Sequence, residues 1–78
     1  MVGHPKYKVG DIVKFKFGDG SKEGVVAIVD RYGTFFDDSD VSYDIMVKEE
    51  RMLYKHVKET LVDEFVRFSD PNKVWEVM

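Results

Sequence analysis

Residues 11–17 read DIVKFKF, and this stretch decides the fold class of the chain. Side chains along a β-strand point alternately to its two faces, so a period of two with β-branched and aromatic residues predicts a strand that is buried on one side. The two faces are clearly separated: Val13, Phe15 and Phe17 against Lys14 and Lys16. We expect the apolar set to form one wall of the core and the lysines to face solvent.

A second strand follows after a short turn. Residues 18–21 read GDGS, and glycine and aspartate tolerate the backbone angles of tight turns. Residues 24–29 read GVVAIV, which is nearly continuous in apolar character and therefore predicts a strand in the middle of the sheet. Val26 and Ile28 are expected to point inward.

Two more strands are predicted after the polar and aromatic loop 30–40. Residues 41–48 alternate again, and residues 52–57 form the next strand beyond a charged turn at 49–51. The tail is left open: residues 60–63 can form one 3-10 turn, residues 60–67 a short α-helix, and residues 65–68 are strand-like in composition and can belong to a fifth strand. We favour the strand, followed by a turn at Pro71 and a final strand.

These elements predict an all-β fold, a small barrel of five or six strands with a short 3-10 or helical turn near the C-terminal third. The chain is expected to be a single domain, 1–78, with residues 1–8 flexible and 63–78 forming a C-terminal strand or hairpin. No long amphipathic helix is available to cover a flat sheet, so closure is the expected way to bury the apolar faces. The expected core is Val13, Phe15, Val26, Ile28, Ile45, Val47, Val57 and Leu61.

The order of these segments resembles the small Src-homology-3-like barrels and their KOW and Tudor-type relatives over about residues 6–62. The matching residues are Gly10-Asp11-Ile12-Val13, Gly24-Val25-Val26 with Ile28, Tyr43-Asp44-Ile45, and Val57 with Glu59 and Leu61. The resemblance implies a fold and no particular activity. The paired aromatics of the peptide-binding members have no counterpart at the expected spacing, so proline-rich ligands are not expected.

Two phrases, YDIMV and LYKHVKE, also resemble short uncharacterised proteins of phages and prophages from Gram-positive bacteria. That resemblance implies a bacterial cytosol and no activity. The source organism itself is left open.

Composition limits the class of protein. The hydrophobic fraction of 44% and aromatic fraction of 14% are typical of a folded core, and there is no cysteine for disulfides or thiolate metal sites. No apolar run approaches the length of a membrane span, and no secretory signal is visible at the start. We therefore expect a cytoplasmic protein.

Charge makes nucleic acid a second choice of partner. The net charge is −3, whereas proteins that bind the phosphate backbone usually carry a basic excess. Residues 1–36 nevertheless sum to +2, and barrels can present basic faces with aromatics to bases. The candidate nucleic-acid face is Lys6, Lys8, Lys14 and Lys16.

Neither catalysis nor a bound cofactor is expected. The chain has two histidines, His4 and His56, and no serine lies in a motif that would pair it with a base. Residues 37–40 (DDSD) offer oxygens to calcium, but they lack the glycine and distal glutamate of an EF-hand loop. We interpret them as a solvated loop.

The leading expectation is a protein–protein interaction module. The chain holds more aromatics than one small core obviously needs, and aromatic and methionine side chains are enriched at protein contacts. The predicted partner surface consists of Phe35, Phe36, Met46, Tyr54 and His56. Nucleic-acid binding is the alternative, and a self-associating structural component is a third; the partner and the oligomeric state are left open.

Overall fold

Five antiparallel strands form one sheet in the computed structural model, which describes residues 5–30 and 41–76. The strands are β1 (Asp11–Phe17), β2 (Gly20–Asp30), β3 (Ser42–Val47), β4 (Met52–Lys58) and β5 (Val62–Phe68). One 3-10 turn (Glu59–Leu61) joins β4 to β5, and a second (Pro71–Lys73) follows β5. The all-β prediction is confirmed.

The strand order in the sheet is β4-β3-β2-β1-β5. The first four strands form a meander, and the chain then returns so that β5 pairs with β1. β2 lies in the middle, as its continuous apolar run predicts. Within the described residues β4 and β5 are not hydrogen-bonded to each other, so the sheet is open and the expected barrel closure is not formed.

The open sheet is nevertheless strongly curved. The rings of Phe15 on β1 and Tyr54 on β4 lie 5.6 Å apart between centroids, although two strands separate them in the sheet. Strands are spaced about 4.8 Å apart, so such a contact needs a sheet that curls over itself. We call this inner side the concave face; its buried residues are Val13, Phe15, Val26, Val41, Tyr43, Ile45, Val47 and Val57.

The opposite, convex face carries a second apolar cluster. Val25, Ala27 and Met46 are buried there against Val74, which comes from the segment after the second 3-10 turn. Asp70 begins that turn by accepting a hydrogen bond from the Asn72 backbone N–H at 2.9 Å. Burial on both faces explains why the central part of β2, residues 24–27, is continuously apolar.

A β-bulge at Ala27 corrects one core prediction. Val26 pairs with Ile45 and Ile28 pairs with Asp44, so Ala27 is an extra residue on β2. An extra residue shifts the alternation of side chains by one. Ile28 is therefore 45% exposed, and Val29 packs on the concave cluster in its place.

Two other expected core residues lie at the periphery. Phe17 is 52% exposed because β1 ends there, directly before the turn at Gly18. Leu61 is also exposed, because it belongs to the 3-10 turn rather than to a strand. The other six residues of the expected core are buried.

The structure decides between the alternatives for residues 60–68. An α-helix over residues 60–67 is wrong, whereas a 3-10 turn (Glu59–Leu61) and a fifth strand that begins at Val62 are both present. The expected final strand is also wrong for residues 74–76, which form a turn and an irregular end. Trp75 is 55% exposed.

Residues 6–8 make hydrogen bonds to the rest of the domain, and the expectation that residues 1–8 are flexible stays a prediction. The backbone N–H groups of Lys6 and Tyr7 both donate to the Tyr43 hydroxyl, at 3.1 and 3.3 Å. The Lys8 N–H donates to the buried carboxylate of Asp11 at 3.0 Å. Residues 1–4 lie outside the described part of the chain.

Gly24 allows β2 and β3 to approach each other closely. A Cβ atom at this position would lie 2.6 Å from Ile45 Cγ2 and 2.7 Å from the Met46 carbonyl oxygen. Real Cβ contacts do not approach backbone atoms this closely, so any side chain here would push β3 away. This glycine fixes the pairing at the centre of the sheet.

Candidate binding surface

An aromatic patch lies where β1 ends on the concave face. The half-exposed ring of Phe17 packs edge-on against Tyr54, with centroids 5.0 Å apart and planes at 78°. Tyr54 also contacts the buried ring of Phe15, so the exposed aromatics rest directly on the core. Met52, two residues before Tyr54 on β4, is half-exposed as well.

A hydrogen-bonded ion pair fixes the polar side of this patch. Lys22 Nζ lies 2.5 Å from Glu50 Oε2, and the Tyr54 hydroxyl donates to Glu50 Oε1 at 2.5 Å. The same ammonium lies 5.4 Å from the Phe17 ring centroid and 5.5 Å from that of Tyr54, within cation–π range. We call Phe17, Lys22, Glu50, Met52 and Tyr54 the Phe17 patch.

The ion pair stabilises the charged forms of both partners. The hydrogen bond that Glu50 accepts from Lys22 is the main cause that lowers the pKa of Glu50, and the hydrogen bond from the Tyr54 hydroxyl adds to the effect. The same bond raises the pKa of Lys22. The patch is therefore an array of fixed charges and rings that together carry no net charge at neutral pH.

Among the described residues of the predicted partner surface, Met46, Tyr54 and His56, Tyr54 belongs to this patch. Met46 is 8% exposed, since it is packed against Val74 on the convex face, and this corrects its expected outward position. His56 is exposed at a bulge on β4, where its N–H donates to Asp44 Oδ1 at 3.0 Å. Phe35 and Phe36 lie outside the described residues.

Sequence reasoning missed most of the Phe17 patch. Alternation with Phe15 predicts that Phe17 lies in the core, yet Phe17 is the last residue before the turn at 18–19. A strand residue beside a tight turn has fewer neighbours to cover it. Lys22 gives no signal in the sequence, because its contacts to Glu50 and Tyr54 span 28 and 32 positions.

The candidate nucleic-acid face is exposed as expected, but acidic residues are interleaved with it. Lys14 pairs across the strands with Glu23 on one side and Glu64 on the other. Directly opposed residues have Cβ atoms about 5 Å apart, so these charges are neighbours.

Two other lysines of that face have an acidic group beside their ammonium, and the third, Lys6, contacts one through its backbone. Lys16 Nζ lies 3.7 Å from Asp63, and Lys8 Nζ lies 3.2 Å from Asp11 and over the ring of Phe68. The Lys6 side chain is exposed while its backbone N–H also donates to Glu59 Oε2 at 2.9 Å. No continuous basic stripe results.

An open cleft of about 350 Å³ lies on the convex face. Its floor is apolar and its rim carries charges of both signs: Ile12, Gly24, Val25 and Met46 below Glu23, Glu49, Lys48 and Arg67, with Ser69. The Lys48 ammonium is used to bind the Lys73 carbonyl oxygen at 2.7 Å.

Metal-binding groups are not brought together in residues 5–30 and 41–76, where no three His, Asp or Glu side chains cluster. The acidic run 37–40 lies outside those residues. The expectation that the chain is not an enzyme and needs no cofactor stays a prediction.

Comparison of the chain with protein-family models, curated proteins and solved structures found no match. The resemblances to Src-homology-3-like barrels and to phage proteins therefore stay predictions. Among the described residues there is no helix long and apolar enough to span a membrane.

Proposed function

We propose that this chain is a small non-enzymatic binding module that engages a partner protein through the Phe17 patch. The observation that carries the proposal is the half-exposed Phe17 ring, held edge-on against Tyr54 beside the Lys22 ammonium. The residues that contribute most of the binding energy at protein interfaces are typically aromatic side chains or arginine, surrounded by weaker contacts that exclude water.

The patch has little conformational freedom to lose on binding. Glu50 holds both Lys22 and Tyr54, and Tyr54 in turn rests on the core residue Phe15. Ordering a rotamer-rich side chain at an interface costs about 0.5–1.5 kcal/mol, so side chains that are already ordered favour binding. Since the ion pair is internally neutral, the partner chemistry that fits best is an apolar side chain that covers Phe17 and Met52.

The test compares two phenylalanines of nearly equal exposure. Phe17 is 52% and Phe68 is 51% exposed, and they lie at opposite ends of the β1–β5 region. Immobilised wild type, Phe17→Ala and Phe68→Ala are used to capture proteins from nuclease-treated bacterial lysate, and the captured proteins are identified by mass spectrometry. We expect a captured protein to be lost with Phe17→Ala and kept with Phe68→Ala. The reverse pattern would contradict the proposal.

Nucleic acid is the second candidate, favoured by the exposure of Lys6, Lys8, Lys14 and Lys16 on or before β1. Phosphate binding weakens steeply with salt, because it releases counterions. The test is gel retardation of a mixed-sequence oligonucleotide at low salt, with Lys14→Glu plus Lys16→Glu as the matched variant. Retardation by the wild type that disappears in the variant would support this candidate over protein binding, and no retardation would exclude it.

A further inference from the structure

β5 is an edge strand that presents apolar side chains. It pairs with β1 on one side, and in the described part of the chain no strand pairs with its other side. Phe65 and Phe68 are each half-exposed on this strand of seven residues. An exposed edge with apolar residues offers backbone hydrogen-bonding groups to another strand.

The other edge, β4, is protected against such pairing. Lys55 and His56 together oppose the single residue Asp44, and His56 has a left-handed backbone with φ of 57°. A bulge of this kind bends the strand, and a lysine on an edge disfavours pairing with another sheet. Pairing between sheets is therefore expected at β5 rather than at β4.

Glu64 and Arg67 lie on the same face of β5. Glu64 pairs with Lys14 and Arg67 pairs with Ile12, and these two β1 residues are two positions apart and so point the same way. The register shift between Ile12 and Val13 puts an extra residue between the two charges on β5. Neither Glu64 nor Arg67 forms an ion pair with another described residue.

We propose that β5 pairs in antiparallel fashion with β5 of a second copy of this chain. A two-fold axis between Phe65 and Val66 sets Glu64 of each copy opposite Arg67 of the other. The symmetric dimer then contains this pair of opposite charges twice, on one face of a continuous sheet of ten strands. Opposite charges directly across a strand pair stabilise it, and like charges destabilise it.

This surface uses no residue of the Phe17 patch, so the dimer and the proposed protein partner are independent of each other. A single strand pair is a small interface, so association is expected only at high protein concentration. Light scattering coupled to size exclusion, between roughly 10 µM and 1 mM, measures the mass directly. We expect the wild type to shift from monomer towards dimer across this range.

Two charge reversals test the register. Glu64→Arg leaves arginines facing each other, and Arg67→Glu leaves glutamates facing each other; each is expected to lower the association constant roughly tenfold or more. An equimolar mixture of the two variants restores both opposite-charge pairs and is expected to dimerise again. The double variant Glu64→Arg plus Arg67→Glu is expected to dimerise alone. Circular dichroism of each variant confirms that it is folded.

Wild type that remains monomeric up to the highest concentration would overturn the proposal and leave the β5 edge to a strand from another protein. Equal association of wild type and both single variants would overturn it too, because the contact would then lie elsewhere. A mixture that stays as monomeric as its components would show that Glu64 does not face Arg67.

Discussion

The Tyr43 hydroxyl donates a hydrogen bond to Glu59 Oε2, and this pair joins three distant parts of the chain. Tyr43 lies on β3 with its ring fully buried, and Glu59 begins the 3-10 turn between β4 and β5. The same hydroxyl accepts from the N–H groups of Lys6 and Tyr7. One phenol oxygen thus fixes the start of the described chain against the connection to the last strand.

Tyr43→Phe removes this oxygen and is expected to lower the free energy of unfolding by about 1–3 kcal/mol, the cost of leaving buried polar groups without a partner. Urea denaturation at pH 7 measures the loss. Tyr7→Phe is the control, because the Tyr7 hydroxyl makes no hydrogen bond to another described residue, and it should cost less.

The same substitution is expected to change the response to alkali. Burial, followed by the hydrogen bond to Glu59, raises the pKa of Tyr43 above its usual value of 10.0. Below about pH 10 the Tyr43 hydroxyl is protonated in both the folded and the unfolded state, so its contribution to stability is complete. As the pH rises further, the tyrosine of the unfolded chain ionises first, and this contribution is lost. The difference in unfolding free energy between wild type and Tyr43→Phe should shrink between about pH 9 and 11. A constant difference would contradict this assignment.

Gly24→Ala is expected to destabilise the sheet where β2 and β3 meet. The new Cβ would overlap Ile45 Cγ2 and the Met46 carbonyl, and overpacking of this kind typically costs about 1–3 kcal/mol. Gly20→Ala is the matched control on the same strand, since a Cβ there meets nothing within 4 Å. Thermal melts of both variants should separate them; equal melting temperatures would mean that β3 does not approach Gly24 closely.

Phe15→Ala and Phe17→Ala are expected to differ, although the residues are two positions apart on one strand. Phe15 is fully buried, so its truncation should cost about 3–5 kcal/mol. Phe17 is half-exposed and should cost less than about 2 kcal/mol, because half of its surface is already in water. Chemical denaturation of the two variants measures both values, and a Phe15→Ala melt that matches wild type would refute the core assignment.

Arg51→Gly is expected to stabilise the hairpin between β3 and β4. Arg51 has a φ of 55°, in the left-handed region, and its N–H closes the turn by donating to the Lys48 carbonyl at 3.1 Å. A non-glycine residue in this region costs about 1–2 kcal/mol of stability. Glycine removes that cost, but the greater entropy that it gives the unfolded chain offsets about 0.4–1 kcal/mol of the gain. A net gain of roughly 0.5–1 kcal/mol should appear in urea titrations. Arg51→Ala keeps the strain and should show no gain.

Alternation along the chain predicted the concave face well. Val13 and Phe15 on β1, and Ile45 and Val47 on β3, all lie where a period of two puts them. The bulge at Ala27 could not be predicted in the same way, since a bulge depends on pairing with β3 and leaves no local mark in an apolar run. Alternation alone therefore predicts the wrong face for Ile28.

The convex cluster was missed because its cover comes from the tail. Met46 looks like a solvent-facing residue in β3, but it is buried in a cluster with Val25, Ala27 and Val74, and Val74 lies 28 positions away. The continuous apolar run of β2 does indicate that the convex face is covered. Val25 and Ala27 point to that face, and apolar side chains on both faces of a strand indicate that both faces are buried. Of the Phe17 patch, the sequence predicts only Tyr54 as part of a binding surface. Lys22 and Glu50 lie 28 positions apart, and only the pairing of the strands brings them into contact.

The attachment of β5 has a consequence for how the molecule forms and opens. β1 pairs with β2, β2 with β3, and β3 with β4, so these pairs join strands that follow one another in sequence. The first and last of the five strands also pair, with Asp11 opposite Phe68. Contacts between such distant residues require the largest loop to close, and they slow folding. The two register shifts of the β1–β5 ladder weaken it further, so amide protons of β5 should exchange with solvent before those of β2, which has a hydrogen-bonded strand on each side.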